Sequence, residues 1–270
     1  MKLDINRRNA VHITGSGEQT IVFAHGFGCD QTVWNHVVPA FEKHYRVVTF
    51  DYVGSGQSDK TAYTAERYAA LPGYAQDVIE VCDALELKDI IYVGHSVSGM
   101  IGVLASIQRP DLMQKLIMIG PSPHYLNEID YHGGFEREDI DELLDMMEMN
   151  YKEFTKYLAP IAMKNEDRPH LSEEFESMLC TNDPRIARRF AEATFMSDVR
   201  EELSKVLTRT LILQPTEDSI VPLEVGHYIR KHIPDSELVI MEAKGHNPHI
   251  SHPQETMEEI KRFIEEDRSV

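Results

Sequence analysis

The sequence has little cysteine and no long apolar run, and both absences narrow what the chain can be. Its 270 residues include three cysteines, Cys29, Cys82 and Cys180, with no C-x-x-C pair. This spacing disfavours a disulfide framework and a cysteine zinc site, and it suits a reducing compartment. No apolar run approaches the roughly 20 residues that span a bilayer, and the N-terminal segment lacks the apolar stretch of a signal peptide. We therefore expect a cytoplasmic protein that does not enter a membrane.

Basic residues are also scarce. The chain has 27 Lys and Arg against 45 Asp and Glu, which gives a formal net charge of −18. Electrostatic repulsion makes nucleic acids and anionic membranes poor partners for such a chain. Between residues 122 and 195, 17 acidic and 8 basic residues give a net charge of −9. A solvated helical surface explains this concentration most simply, and a face that docks a basic partner is the alternative.

Short apolar runs alternate with helical patterns along most of the chain. Runs rich in β-branched residues predict buried strands at 20–24, 46–50, 90–93, 116–119, 210–213 and 238–241, and a shorter run predicts an antiparallel edge strand at 11–13. Helical spacing predicts helices at 33–42, 73–85, 99–108, 224–232 and 254–264. This alternation favours an α/β fold with a mainly parallel sheet between two layers of helices.

One stretch interrupts the alternation. From residue 122 to residue 196 there is no convincing strand, and apolar spacing predicts four helices. The first runs from Ile140 through Tyr151, and the fourth begins with Asp183 as N-cap and Pro184 at the first helical position. We therefore divide the chain into a core of residues 1–121 and 197–270 and a helical cap of residues 122–196.

Residues 90–99, Ile-Ile-Tyr-Val-Gly-His-Ser-Val-Ser-Gly, have the pattern of a strand, a tight turn and a helix. This pattern is typical of a nucleophile elbow, in which Ser96 would lie at a strained bend with its Oγ above the sheet. The match to G-x-S-x-G is imperfect, because Ser98 stands where the motif has glycine. Such a match is common by chance, so the assignment of Ser96 depends on partner residues.

The later strands supply these partners. A serine hydroxyl needs an imidazole to accept its proton and a carboxylate to orient that imidazole. Asp218 follows the strand at 210–213 and His246 follows the strand at 238–241, so both are predicted at the same sheet edge as Ser96. Glu217 is the alternative carboxylate, but Asp-x-x-Val-Pro is the better match to the motif.

The loop after the first buried strand predicts an oxyanion hole. Its sequence is His25-Gly-Phe-Gly28, and we assign the two donors to the N–H groups of Phe27 and Val97. A simple glycine turn is the alternative interpretation. The 13 histidines include no H-x-x-x-H or H-E-x-x-H spacing, so we expect neither a metal site nor a cofactor.

These motifs together resemble the α/β-hydrolases. The runs Gly94-His-Ser-Val-Ser98 and Gly245-His-Asn-Pro-His249, with those at 25–34, 50–56, 121–127 and 133–136, are similar to the RsbQ-like branch of that family. Members of this branch regulate the bacillary general stress response. Plant strigolactone and karrikin receptors share much of the same pattern, including a serine at the position of Ser98.

The resemblance implies an α/β-hydrolase fold with a sheet of the eight-stranded type and a V-shaped, four-helix cap inserted after the sixth strand. It implies a catalytic triad of Ser96, Asp218 and His246 beneath a hydrophobic ligand pocket. We assign this pocket to His25, Tyr125, Phe135, Phe154, Leu158 and Phe195. Phe154 and Leu158 differ from the residues expected in the plant receptors, so their ligand preference is not transferred to this chain.

The expected function is that of a serine hydrolase acting on, or sensing, a small hydrophobic ester or lactone. The RsbQ-like resemblance implies a positive regulator of a PAS-domain PP2C-type phosphatase in the sigma-B energy-stress pathway. A plain metabolic carboxylesterase without a protein partner and a ligand-binding switch without turnover are the alternatives. Dehalogenase and epoxide-hydrolase chemistry is disfavoured, because those enzymes use Asp as the nucleophile and position 96 is Ser.

Overall fold

A seven-stranded sheet runs through the centre of the computed structural model, which describes residues 4–266. The strands are β1 His12–Thr14, β2 Thr20–Ala24, β3 Arg46–Phe50, β4 Ile90–His95, β5 Met113–Ile119, β6 Arg209–Glu217 and β7 Ser236–Lys244. Their spatial order is β1-β3-β2-β4-β5-β6-β7. As predicted, β1 pairs antiparallel with β3 at the edge, and all other neighbouring pairs are parallel. The central strands β2 and β4 are buried along their whole length, because helices cover both faces of the sheet.

Ten α-helices lie within the described residues. They are α1 Ile5–Arg8, α2 Leu71–Ala84, α3 Val97–Gln108, α4 Arg137–Met149, α5 Tyr151–Met163, α6 Pro169–Leu179, α7 Pro184–Phe195, α8 Leu223–His232, α9 Pro248–Ser251 and α10 Pro253–Glu265. Four of them, α4 to α7, lie between β5 and β6 along the chain and form the cap. Between residues 4 and 266, no helix combines the length and the apolar character needed to cross a bilayer.

The sheet differs from the expected eight-stranded type in its strand count. Residues 4–266 form seven strands, and the cap follows the fifth strand, β5, rather than the sixth. The segment before β1 is the short helix α1 instead of a further edge strand. Its last residue, Arg8, is buried and forms ion pairs with Asp77 and Glu80 of α2, which hold the segment against that helix.

The predicted helix at 33–42 is wrong, because this segment forms two short 3₁₀ helices, Gln31–Trp34 and Val38–Ala40. Pro39 lies in the middle of the segment, where it lacks an N–H and its ring obstructs a continuous α-helix. The apolar spacing that suggested a helix still serves the core, since Trp34, Val37 and Phe41 are all fully buried.

The first predicted cap helix extends two residues too far, because α4 ends at Met149 and Tyr151 already belongs to α5. Asn150 ends α4 and begins α5, and its side-chain oxygen accepts a hydrogen bond from the N–H of Glu153 at 3.3 Å. This N-cap starts a new helix at Tyr151, although the apolar spacing of the first predicted helix includes that residue. At α7 the prediction agrees with the structure, because Asp183 is the N-cap and Pro184 is the first helical residue.

Candidate active site

Ser96 lies at the turn between β4 and α3, in a conformation that side chains rarely adopt. Its backbone angles are φ 55° and ψ −122°. The close approach of the helix requires a small neighbour, because a Cβ atom on Gly94 would lie 2.5 Å from the carbonyl oxygen of Ser98. The short segment thus fixes Ser96 at the carboxyl end of a central strand and at the N-terminus of a helix, as in a nucleophile elbow.

The structure brings Ser96, His246 and Asp218 into one hydrogen-bonded chain. The Nδ1 of His246 is 2.7 Å from Oδ2 of Asp218, and its Nε2 is 2.8 Å from Oγ of Ser96. An ionised carboxylate only accepts, so Nδ1–H donates to Asp218 and leaves Nε2 free to accept the hydroxyl proton. This tautomer is the one that a general base beside serine requires.

Asp218 is oriented by its own loop. Its side chain is fully buried, and Oδ1 accepts hydrogen bonds from the N–H groups of Ile220 and Val221 at 2.8 and 3.1 Å. Glu217, the alternative carboxylate, is exposed and forms ion pairs with Lys164 and Lys244 instead. The geometry therefore favours Asp218 over Glu217 as the partner of the imidazole.

The cap contacts the loop that carries His246. The backbone N–H of His246 donates to the carbonyl oxygen of Ala162, near the end of α5, at 2.7 Å. The side chain of Asn165 donates to the carbonyl oxygen of Lys244 at 3.1 Å. A cap helix thus holds the backbone on both sides of Gly245, and the position of the imidazole depends on the cap as well as on the sheet.

The two predicted oxyanion donors lie on either side of Ser96. Val97 is the first residue of α3, so its N–H has no acceptor within the helix. Phe27 lies in the loop after β2, which passes close to the elbow, since a Cβ atom on Gly26 would be 2.4 Å from Nδ1 of His95 and 3.4 Å from Cβ of Ser96. Among the described residues, neither N–H donates to another backbone group. Both remain able to bind a negatively charged oxygen.

Ser98 connects these two parts of the site. Its Oγ donates to the carbonyl oxygen of His25 at 2.5 Å and accepts from the hydroxyl of Tyr52 at 2.8 Å. The hydroxyl of Tyr92 donates to the backbone oxygen of Ser98 at 3.0 Å. Glycine at this position could form neither of the two side-chain hydrogen bonds. Ser98 therefore links the turn at Ser96 to the start of the loop at residues 25–28, which we call the oxyanion loop.

Two further histidines pack behind His246 and stay neutral. The Nε2 of His95 is 2.8 Å from the carbonyl oxygen of His246 and donates to it, and the rings of His95 and His249 lie 4.3 Å apart. Burial, reinforced by the neighbouring histidines, holds the pKa of His95 well below its usual value and lowers that of His249 to about 3. These side chains act as packing groups that support the backbone of His246.

A small cavity lies above Ser96. Its volume is about 30 Å³, far below the several hundred Å³ of a typical ligand pocket. The lining includes three residues predicted for the pocket, Tyr125, Leu158 and Phe195, together with Phe27 of the oxyanion loop. Burial raises the pKa of Tyr125 to about 12, so its hydroxyl remains protonated beside Ser96.

A larger cleft of about 270 Å³ adjoins this cavity between α4, α5 and the loop after β6. Phe135 lines this outer cleft, and Leu158, Phe195 and Ile220 separate it from the cavity. Phe154 and His25, also predicted for the pocket, line neither space. Phe154 is fully buried within the cap beside Tyr151, and His25 is buried under the oxyanion loop with Nδ1 bonded to the carbonyl oxygen of Gly26.

Sequence reasoning missed three apolar residues of the cavity, Ala162, Phe175 and Ile220. Ile220 lies within the Asp-x-x-Val-Pro motif, two residues after Asp218, and its position next to the triad carboxylate is the signal that could have identified it. Phe175 lies on α6 and shares its apolar spacing with ordinary core residues, so no local signal distinguishes it.

Comparison with known proteins identifies the chain's relatives. Residues 21–259 match a family described as "Alpha/beta hydrolase family". The "Karrikin insensitive 2 receptor CA" of Petunia hybrida is 41% identical over 267 residues, which cover 98% of this chain and 99% of the relative. The "Strigolactone esterase D14" of Arabidopsis thaliana is 38% identical over 255 residues, covering 94% of this chain and 95% of the relative.

A solved structure shows that the similarity to hydrolases extends to the three-dimensional fold. A hydrolase from Oleispira antarctica, olei00960, matches with a TM-score of 0.95 and 43% sequence identity, and the match covers 97% of each chain. The relationship to the plant strigolactone and karrikin receptors that the motifs predicted is confirmed at about 40% identity. The family match spans most of the sequence, and these relatives align over nearly its whole length. The chain therefore belongs to the alpha/beta hydrolase family.

Proposed function

We propose that the protein is a serine hydrolase that cleaves or senses a small hydrophobic ester or lactone, with Ser96, His246 and Asp218 as its catalytic triad. The observation that carries this proposal is the continuous hydrogen-bonded chain from Asp218 through His246 to Ser96, with distances of 2.7 and 2.8 Å. Its three members come from loops after three different strands and meet at the carboxyl edge of the sheet. Relatives named as an esterase and as a receptor are compatible with both turnover and sensing.

The chemistry follows from the tautomer of His246. As Oγ of Ser96 attacks the ester carbonyl carbon, its proton passes to Nε2 of His246, and Asp218 stabilises the imidazolium that forms. The carbonyl oxygen gains the negative charge and is bound by the N–H groups of Phe27 and Val97. The alcohol leaves with the proton from His246, and water then releases the acid from the acyl-enzyme in a second step that reverses these proton transfers.

The cavity favours small and apolar substrates. Phe27, Leu158, Phe175, Phe195 and Ile220 supply apolar walls, and all the lining groups leave only about 30 Å³. A substrate larger than a few atoms has to displace the side chains between the cavity and the outer cleft. Because binding of larger esters and lactones requires this displacement, we expect their turnover to be slow.

The test of the triad is the variant Ser96→Ala, assayed with p-nitrophenyl acetate. We expect a loss in kcat of at least about a thousandfold, because no other hydroxyl occupies the attack position. Ser106→Ala is a matched control, since Ser106 is another buried serine of α3 that bonds only the carbonyl oxygen of Val103. If Ser96→Ala kept the activity of the unmodified protein, Ser96 would not be the nucleophile.

We further propose a cytoplasmic signalling role in which the protein activates a PAS-domain PP2C-type phosphatase. The RsbQ-like motifs support this role, and so does the outer face of α4, where Glu138, Asp141, Glu142 and Asp145 are exposed. In a reconstituted assay, we expect the phosphatase to respond to the unmodified protein and to lose that response with Ser96→Ala. A response that survives in Ser96→Ala would favour a switch without turnover, and no response to either protein would favour a metabolic carboxylesterase.

A further inference from the structure

Two chain segments connect the cap to the core, and they lie side by side. The first leaves β5 and includes residues 121–136, and the second leaves α7 and includes residues 196–199; we call the pair the cap neck. His124 pairs with Asp198 in an antiparallel bridge, and the N–H of Val199 donates to the carbonyl oxygen of Pro123 at 2.8 Å. Any group bound between the two segments would join both connections of the cap.

The side chain of His124 is buried at the cap neck with one nitrogen unused. The residue is 5% exposed, and its Nδ1 is 2.8 Å from the carbonyl oxygen of Ser197. A carbonyl only accepts, so Nδ1 carries the proton and, in the neutral ring, Nε2 presents a lone pair. This Nε2 is buried and has no hydrogen-bond partner among the described residues. The carbonyl oxygen of His124 also accepts from Tyr131 and Ser122, so the residue is held in place.

Two carboxylates lie around this nitrogen. Oε1 of Glu128 is 3.4 Å from Nε2 of His124, and ligand atoms of His124, Glu128 and Asp198 all lie within 4.8 Å of one another. Zinc bonds near 2.1 Å to nitrogen and oxygen place neighbouring ligand atoms about 3.4 Å apart in a tetrahedron. A metal-binding histidine usually donates its other ring N–H to a backbone carbonyl, as His124 does to Ser197.

Charge also favours a cation at this position. Arg200 is the basic side chain within the cluster, and its guanidinium contacts both Asp198 and Glu128. Two carboxylates and one guanidinium leave an excess of one negative charge beside the Nε2 lone pair. The guanidinium binds Oε2 of Glu128, whereas Oε1 faces His124. Arg200 therefore competes with a cation for Asp198 but leaves the His124 side of Glu128 open.

We propose that the cap neck binds a divalent cation of the Zn²⁺ type through Nε2 of His124 and the carboxylates of Glu128 and Asp198. The sequence had predicted no metal site because its histidines lack H-x-x-x-H spacing. The site instead uses a His-x-x-x-Glu spacing, which Asp198 completes from the far end of the cap. A bound cation would cross-link the two segments of the neck, and hydrogen exchange of residues 122–131 and 196–200 would slow on binding.

The experiment is calorimetric titration of ZnCl₂ into the full chain and its variants at neutral pH. We expect one saturable site in the unmodified protein and at least about tenfold weaker binding in His124→Asn and in Glu128→Gln. His124→Asn is chosen because the asparagine amide still donates to Ser197 while the Nε2 ligand is lost. Arg200→Gln removes the competing cation and should bind Zn²⁺ more tightly than the unmodified protein.

A matched control is available at the surface. Nε2 of His36 lies 3.4 Å from Oε1 of Glu174, the same separation as at the cap neck, but both side chains are about half exposed. His36→Asn should bind Zn²⁺ as the unmodified protein does. The proposal is overturned if the unmodified protein does not bind Zn²⁺ saturably, or if His36→Asn weakens binding as much as Glu128→Gln. Should His124→Asn fail to fold, the exposed Glu128→Gln variant decides the outcome.

Discussion

At the scale of single residues, Ser98 is a structural part of the site and not a defect in the motif. Its hydroxyl is buried between the carbonyl oxygen of His25 and the hydroxyl of Tyr52, and it forms hydrogen bonds with both groups. The sequence predicts Ser96, Asp218 and His246 as site residues because each follows a strand in a recognisable motif. The bonds of Ser98 could not be predicted, because they join three segments that are distant in the chain.

Replacing Ser98 with glycine, which would complete the G-x-S-x-G motif, should weaken the protein. We expect both Ser98→Gly and Ser98→Ala to lower the free energy of unfolding by about 1 to 3 kcal/mol, because the loss removes two buried hydrogen bonds, to the carbonyl oxygen of His25 and the hydroxyl of Tyr52. Chemical denaturation measures this change, and the esterase assay should show a lower kcat as the oxyanion loop loosens. Ser106→Ala removes a hydroxyl from the same helix and should cost less. Equal stability of Ser98→Gly and the unmodified protein would contradict this role.

At the scale of elements, the sequence predicted most helices and strands but missed where some of them break. Periodicity reports which face is apolar, and it places Tyr151 in the first cap helix although that helix ends at Met149. The segment around Pro39 likewise keeps its apolar spacing in two short 3₁₀ helices. Contacts between elements were also beyond prediction, since nothing in the local pattern of α5 indicates that Ala162 binds the backbone of His246.

The N-cap of α7 was predicted correctly, and its contribution can be measured. Oδ1 of Asp183 accepts from the N–H groups of Arg185 and Ile186 at 2.9 and 3.3 Å. Asp183→Ala should lower the free energy of unfolding by about 1 kcal/mol, whereas Asp183→Asn, which keeps an acceptor oxygen, should change it little. Denaturant titration of the two variants makes the comparison. An equal loss in both would mean that the carboxylate acts through charge and not as a cap.

At the scale of the whole molecule, the mainly parallel sheet and the helical cap inserted between two of its strands were predictable because α/β topology allows few alternatives. The strand count was not, since residues 4–266 form seven strands and the cap follows the fifth strand instead of the sixth. The cavity was not predictable either. Aromatic residues in the cap sequence could form a core or line a pocket, and the structure divides them between both, with Phe154 in the core and Phe195 at the cavity.

The buried histidines make global stability depend on pH. His95 and His249 are neutral in the fold, with pKa values well below the usual value and near 3, whereas the unfolded chain binds protons near its ordinary value of 6.5. The unfolded state therefore binds more protons below pH 6.5, and stability falls as pH decreases from 6.5 toward 3. Each histidine should contribute a slope approaching about 1.4 kcal/mol per pH unit once the pH is well below 6.5.

Urea denaturation between pH 7 and pH 5 measures this slope, in a range above the titration of most carboxylates. His249→Gln removes one titrating group, so its stability should decrease less steeply with falling pH than that of the unmodified protein. The comparison uses slopes and not absolute stabilities, because the substitution itself changes packing. An unchanged slope in His249→Gln would show that His249 gains its proton without unfolding.

The small volume of the cavity above Ser96 has a consequence for the kinetics of binding. Because about 30 Å³ holds no ester, each association event requires the side chains around Leu158, Phe195 and Ile220 to separate first. At high ligand concentration, the observed association rate should then reach a plateau set by this opening step and not rise in proportion to concentration. Ligands of different structure would share the same plateau. The rate constant of the opening step would then limit how quickly the protein binds any of them.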